Sequence, residues 1–351
     1  KSGPRGLALF QAERASMSES ICYLHVGTGK TGSTAIQYAL TREHRYLASQ
    51  GIDYPDFSEN LDIASAGKPT AGNGMVLYRK LRNGNVLGPI RTVRGHVEKG
   101  RRFVISCEGL WLLPRATLAS FATGINDLGF DVRCLVVFRP QVDYLVSHYL
   151  QLVKAATMHW SIGLEDYVIE AVKKMRSGKA NLNWLLVCEE LAEVFGKDKI
   201  AVYWYPSLIS SGLDEVVRRF FAWIDVPMPE GSTGRGIVNP SPNGEALMIL
   251  RMMNSAGLGG RAFANEFLSQ AHAAKLLDKR PMLSKERLVL IDGLTRRDNQ
   301  EMLKRYASGY SVEAVGDSPF DLPVDQPLLR KEVVAEMLQM AGQVLARNGR
   351  V

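Results

Sequence analysis

The chain reads as an α/β protein: a central parallel sheet of about five strands covered by helices, with a largely helical C-terminal part. Three observations predict this. Short apolar runs bounded by turn residues alternate with stretches of helical periodicity, the pattern of a parallel sheet with right-handed crossovers. One such run, Cys134 to Phe138 (CLVVF), is continuously apolar, as a strand covered on both faces must be. From about Gly244 the pattern is helical to the end, broken by a Gly/Pro/Asp-rich loop near 308–327.

The first expected strand is Ile21 to Leu24, and it runs into HVGTGKTGST, His25 to Thr34. Ile36, Ala39, Leu40 and Leu47 then recur at helical spacing, so the segment is a strand–loop–helix unit with its helix starting near Thr31. Gly27, Gly29 and Gly32 let the backbone curl tightly and turn successive N–H groups inward. The helix start adds the positive end of its dipole, and Lys30 adds a full charge. Such a loop is built to hold an anion, a phosphate or something like it. The nucleotide loop G-x-x-x-x-G-K-[ST] is matched only in its second half: Gly29, Lys30 and Thr31 fit, but Leu24 stands where the first glycine is required.

The second strand is the short GIDY, Gly51 to Tyr54, followed by a loop over 57–75 rich in Ser, Ala, Gly and Asn. RRFVISC, Arg101 to Cys107, is the third strand and Arg133 to Phe138 the fourth. Arg139 ends the fourth strand, at the sheet edge where open α/β folds bind ligands. Pro140 then opens a helix with Val142, Leu145, Val146, Tyr149 and Val153 on its apolar face. Ser147, about two turns along, lies on the opposite face with Asp143, Gln151 and Lys154. Helical patterns around 164–176 and 181–195 lead to the fifth strand, KIAVY, Lys199 to Tyr203.

The formal charge of +7 over 351 residues suits a strongly anionic ligand. Its densest short patch is only KGRR, Lys99 to Arg102, so a nucleic-acid partner is not expected. The four cysteines, Cys22, Cys107, Cys134 and Cys188, fall inside apolar patterns without zinc-type spacing and read as reduced core residues. No apolar run is long enough for a membrane span, and residues 1–20 lack the apolar core of a signal peptide. The expectation is a cytoplasmic protein; nothing in the sequence sets its oligomeric state.

On the K-T-G-S-T run and the arginine–serine spacing, the chain resembles the sulfotransferases that use 3′-phosphoadenosine 5′-phosphosulfate (PAPS), in their carbohydrate and bacterial branches. There H-[IV]-G-x-x-K-T-G-[ST]-T is the 5′-phosphosulfate loop, and an arginine after a strand with a serine eight residues on holds the 3′-phosphate. Ser106-Cys107-Glu108-Gly109-Leu110 matches the S-x-E-[GN]-L that follows the third strand in bacterial relatives. The segments 183–208, 238–254 and 298–308 are also similar to bacterial sulfotransferases. One departure is the absence of the R-K-G-x-x-G segment of the cytosolic branch; Arg235, in TGRG, is the candidate substitute.

The resemblance implies a P-loop NTPase-like three-layer fold. It implies a sulfotransferase domain over 21–310, with 1–20 as an N-terminal extension and 311–351 as a C-terminal loop and helix packed on that domain. It implies Gly29, Lys30, Thr31, Gly32, Ser33, Thr34, Arg139, Ser147 and Arg235 as donor-binding residues. Lys30 would stabilise the leaving phosphate and Glu108 would deprotonate the acceptor. PAPS is the implied donor and PAP the product, with no metal required; a carbohydrate or glycolipid hydroxyl is the implied acceptor, small alcohols and natural-product hydroxyls staying open. Two rival classes compete: an ATP-dependent P-loop kinase or NTPase, and a catalytically silent PAP-binding protein of the same fold. His25, His44, His96, His148, Trp111, His159 and Trp160 are lesser candidates, the aromatic ones for stacking on a sugar.

Overall fold

The computed structural model describes residues 20–57, 72–98, 101–156, 162–177, 182–231, 242–277, 283–307 and 329–347. In chain order the elements are β1 (Ile21–His25), α1 (Ser33–Arg42), α2 (His44–Ser49), β2 (Ile52–Asp53), α3 (Met75–Arg82), α4 (Leu87–Arg94), β3 (Arg102–Ser106), α5 (Arg115–Asp127) and β4 (Asp131–Phe138). They continue as α6 (Gln141–Ala155), α7 (Leu164–Arg176), α8 (Trp184–Phe195), β5 (Ile200–Trp204), α9 (Tyr205–Ile209) and α10 (Leu213–Trp223). The last four are α11 (Gly244–Ser255), α12 (Arg261–Ala273), α13 (Lys285–Tyr306) and α14 (Lys331–Arg347).

All five strands pair in parallel, in the order β2-β3-β1-β4-β5. The segments leaving β1, β3, β4 and β5 therefore emerge at one edge of the sheet. The chain forms two compact units; the first holds the described residues within 1–139, 184–237 and 301–314, and the second those within 140–183, 238–300 and 315–351.

The first unit is a three-layer sandwich. On one face of its sheet Tyr23, Val104, Leu135 and Val137 pack with Ala35, Ile36, Ala39 and Leu40 of α1 and with Val216, Val217, Phe220 and Phe221 of α10. The residues alternating with these, Cys22, Leu24, Phe103, Ile105, Cys134, Val136 and Phe138, are buried too, on the side where α5 and α8 meet β4. There Phe138 stacks on Trp184 with ring centroids 4.9 Å apart. Both faces of β4 are thus removed from water, which is why its sequence is apolar without alternation. Each such large side chain contributes about 1.5–3 kcal/mol through burial. All four cysteines are buried and free.

The second unit is helical. In it α14 packs on α11 and α12, and α6 on α7, α11 and α12. A reciprocal amide pair holds the start of α6: Gln141 donates to Asn299 Oδ1 at 3.0 Å, and Asn299 donates back to Gln141 Oε1 at 2.8 Å. Gln141 therefore takes a place in the buried stripe of α6 with Leu145, Tyr149 and Val153, while Val142 and Val146 stay partly exposed. Among the described residues no helix is long and apolar enough to cross a membrane.

The strands match the sequence expectation to within one or two residues. The helices differ more: α5, α9 and α10 also stand where no particular helix was expected, and two further differences have a local cause. The first helix begins at Ser33, not near Thr31, because Gly32 sits at φ 82 and cannot belong to a right-handed helix. Helices α3 and α4 were not anticipated: each has 8 residues and buries only two side chains, Leu77 and Leu81 or Pro89 and Val93, too few for a period to show. Two charges of the KGRR patch are structural. Arg101 grips both oxygens of Asp53, at 2.7 and 3.2 Å, and Arg102 donates to the Gln50 carbonyl at 2.8 Å.

The segment before α3 docks on the end of β3 through Asn73. Its amide nitrogen donates to the carbonyls of Pro55 and Val104, each at 2.9 Å, and its Oδ1 accepts from the Ser106 N–H at 2.8 Å. A side chain with these three bonds stands in for a strand at the edge of the short β2. Asn73→Ala would leave these buried groups unsatisfied and is expected to cost about 2–3 kcal/mol in urea unfolding.

Candidate active site

The loop after β1 is fixed from below by β4. The ladder continues past the strand, with Val26 N–H bonded to Leu135 O at 2.9 Å and Thr28 N–H to Val137 O at 3.3 Å. Thr28 also donates through its hydroxyl to Val137 O at 2.9 Å. The chain then leaves the sheet and turns: Lys30 has φ 67 and Gly32 φ 82. Inside the turn the Thr31 hydroxyl donates to Thr28 O at 2.6 Å. Helix α1 follows; its first intrahelical bond is Ala35 N–H to Gly32 O at 2.9 Å, and the amides of Ser33 and Thr34 come before it.

The three glycines do different jobs. Of the three, Gly32 alone needs left-handed freedom. Gly27 and Gly29 instead lie close to neighbouring side chains, Gly27 the more tightly. A Cβ on Gly27 would stand 2.7 Å from His25 Nε2, and one on Gly29 would stand 3.1 Å from Glu108 Oε2. The expectation that all three serve to curl the backbone is corrected accordingly. The left-handed residue that sequence could not foretell is Lys30, where a side-chain-bearing residue costs about 1–3 kcal/mol. Arg139 offsets part of this by donating from Nη1 to the Lys30 carbonyl at 2.8 Å.

Glu108 comes to the loop from the neighbouring strand. Pairing of β1 with β3 extends by one bond, Cys107 N–H to His25 O at 3.0 Å, and the next residue is Glu108. Ser33 Oγ, in the first turn of α1, donates to Glu108 Oε1. Burial pushes the Glu108 carboxyl above its ordinary range, and the Ser33 bond and the Lys30 charge pull it back only in part. Arg139 lies over the ring of Tyr205, 5.6 Å from its centroid, and the Tyr205 ring edge also flanks Gly32.

Gly29, Lys30, Thr31, Gly32, Ser33, Thr34, Glu108 and Arg139 are therefore gathered at the carboxyl edge of the sheet within the first unit. Ser147 is on α6, two turns beyond Arg139 in the chain, partly exposed and within the second unit. Arg235, His159 and Trp160 lie outside the described residues. Trp111 is partly buried and packs edge-on against Trp184, with centroids 5.7 Å apart. His44 and His96 sit 2.9 and 2.8 Å from carbonyls of the preceding turn, and His148 lies 2.6 Å from the Tyr167 hydroxyl. Tyr205 and Thr28 were not foreseen. Tyr205 follows β5 at the ligand-binding edge, a position that could have flagged it. Thr28 is a hydroxyl inside the loop run itself.

No protein-family model matches the chain, and no curated protein does. Among solved structures it is similar to a sulfotransferase from Alicyclobacillus acidocaldarius, at 18% sequence identity and a TM-score of 0.39, over 73% of this chain and 96% of that one.

Two substitutions test the loop's backbone independently of any activity. Gly32→Ala meets both the left-handed φ and Val216, whose Cγ1 would lie 2.8 Å from the new Cβ. It is expected to lower stability by about 1–3 kcal/mol. Lys30→Gly relieves strain but adds chain entropy to the unfolded state, and is expected to raise stability by about 0.5–1 kcal/mol. Thermal and urea unfolding of the two variants read both signs.

Proposed function

We propose that this protein is a sulfotransferase that moves the sulfuryl group of PAPS to a hydroxyl of a carbohydrate or glycolipid acceptor. The observation that carries the reading is the convergence on one turn of Lys30, Ser33 bonded to Glu108, and Arg139 bonded to the Lys30 carbonyl. A cation, first-turn helix amides and a carboxylate with a raised pKa are the parts sulfuryl transfer needs. The acceptor oxygen attacks sulfur, and its proton passes to Glu108. The bond between sulfur and the bridging oxygen breaks, and the electron pair leaves with the phosphate of PAP. Lys30 and the amides of residues 29–34 neutralise the charge that develops on that oxygen, the electrostatic preorganisation that is often the largest catalytic contribution. Arg139, Ser147 and Arg235 are assigned to the 3′-phosphate. The buried, free cysteines fit a reducing compartment, and a cytoplasmic site of action belongs to the same proposal.

The kinase reading is weakened by Thr31. In nucleotide loops the hydroxyl after the lysine serves Mg²⁺, whereas Thr31 is wholly buried with its hydroxyl turned inward to Thr28 O.

Calorimetric titration with PAP, ADP and ATP, each with and without magnesium, tests the donor. Metal-independent PAP binding that weakens about 10- to 100-fold in Arg139→Ala is expected for a lost charge-assisted contact; preference for ATP with magnesium overturns the reading. Lys30→Ala and Glu108→Gln should each remove most turnover, with PAP affinity kept in Glu108→Gln. Because a base works deprotonated and burial raises the Glu108 pKa, the acid limb of kcat/KM should lie above the ordinary glutamate value of about 4.3. That limb should be absent from the residual activity of Glu108→Gln.

A further inference from the structure

His25 is the last residue of β1 and is wholly buried. Its Nδ1 lies 2.9 Å from Ser106 Oγ, and Gln37 Nε2 donates to the same Oγ at 3.2 Å. An amide nitrogen can only donate, so the hydroxyl accepts from Gln37; its second lone pair can also take an Nδ1–H, but its own proton would then have no acceptor among the described residues, so it gives that proton to His25 Nδ1. The imidazole proton then belongs on Nε2. That nitrogen is buried without a hydrogen-bond partner among the described residues and faces Gly27, where a Cβ would stand 2.7 Å away. Phe220 packs edge-on against the ring, with centroids 5.6 Å apart, and fixes its plane. Burial lowers the His25 pKa to about 4, so the ring stays neutral under ordinary conditions.

The placement of this pair in the sheet gives it a role. His25 and Ser106 are cross-strand partners in register, each the terminal residue of its strand. One leads into the loop that carries Lys30, the other into Glu108. We propose that His25 is a positioning residue: the Ser106 hydroxyl holds it as the Nε2–H tautomer, and the ring props the base of the loop at Gly27 so that Lys30 and Glu108 keep a fixed separation. The catalytic part of this inference rests on the sulfotransferase reading; the tautomer and the prop do not.

The test combines imidazole ¹⁵N spectra, Glu108 ¹³Cδ spectra and kinetics on the full chain. The His25 resonances are assigned by their loss in His25→Asn. A neutral Nε2–H tautomer is expected in the wild type; an Nδ1–H tautomer overturns the proposal. In Ser106→Ala and His25→Asn the Glu108 ¹³Cδ resonance should shift. In both, kcat should fall about 10- to 100-fold, the size of loss a misplaced catalytic group gives, with PAP affinity little changed. His25→Gln, whose amide reaches the Nε2 position, should recover part of that loss. An unmoved Glu108 resonance, or wild-type kcat in His25→Asn, overturns the inference. Should His25→Asn fail to fold, Ser106→Ala and the wild-type tautomer still decide. If the wild type binds no PAP, the sulfotransferase reading fails, while the tautomer and the Glu108 resonance judge the positioning role without a ligand.

Discussion

Strand β1 is bonded along both edges, to β3 and β4, and both ladders run on past the end of the strand. That double pairing is the constraint on which the site depends. The bonds from Val26 and Thr28 to β4 fix the height at which the loop leaves the sheet. The bond from Cys107 to the His25 carbonyl fixes where the chain from β3 arrives beside it. Because every pairing is parallel, Lys30, Glu108 and Arg139 come to one edge without any long connection having to be positioned on its own.

The second organising element is close approach. Glu108 comes close to the loop at Gly29, where a Cβ would stand 3.1 Å from its Oε2, and the carboxylate is held by Ser33. Its elevated pKa follows from burial, which the Ser33 bond and the Lys30 charge offset only in part, and not from a neighbouring negative charge. Lys30 is placed by a backbone conformation that favours glycine, stabilised by Arg139 from the end of the next strand. Strain of this kind persists where the surroundings over-determine it, as they do between β4 and α1.

Most of the sheet was legible in the sequence, since buried parallel strands write long apolar runs and CLVVF is one. The loop was legible because glycine, lysine and hydroxyl residues follow a strand in sequence. What stayed hidden depends on contacts between segments far apart in the chain. The short basic helices α3 and α4 bury too little to leave a period. Asn73 is one polar residue beside a glycine-rich stretch until β3 is beside it. Tyr205 gains its meaning from Arg139, and Gly27 and Gly29 from His25 and Glu108. Local pattern told of the turn after β1, but not of which glycine takes the left-handed conformation and which ones lie against a neighbouring side chain.

The contact between Gly29 and Glu108 also bears on descent. The two positions belong to different strand–loop segments, yet the space that one leaves empty is the space the other fills. A lineage that gains a side chain at position 29 meets the Glu108 carboxylate at close range, and one of the two has to give by a few tenths of an ångström. The two positions are therefore coupled through space, and a substitution at either changes what the other can accommodate.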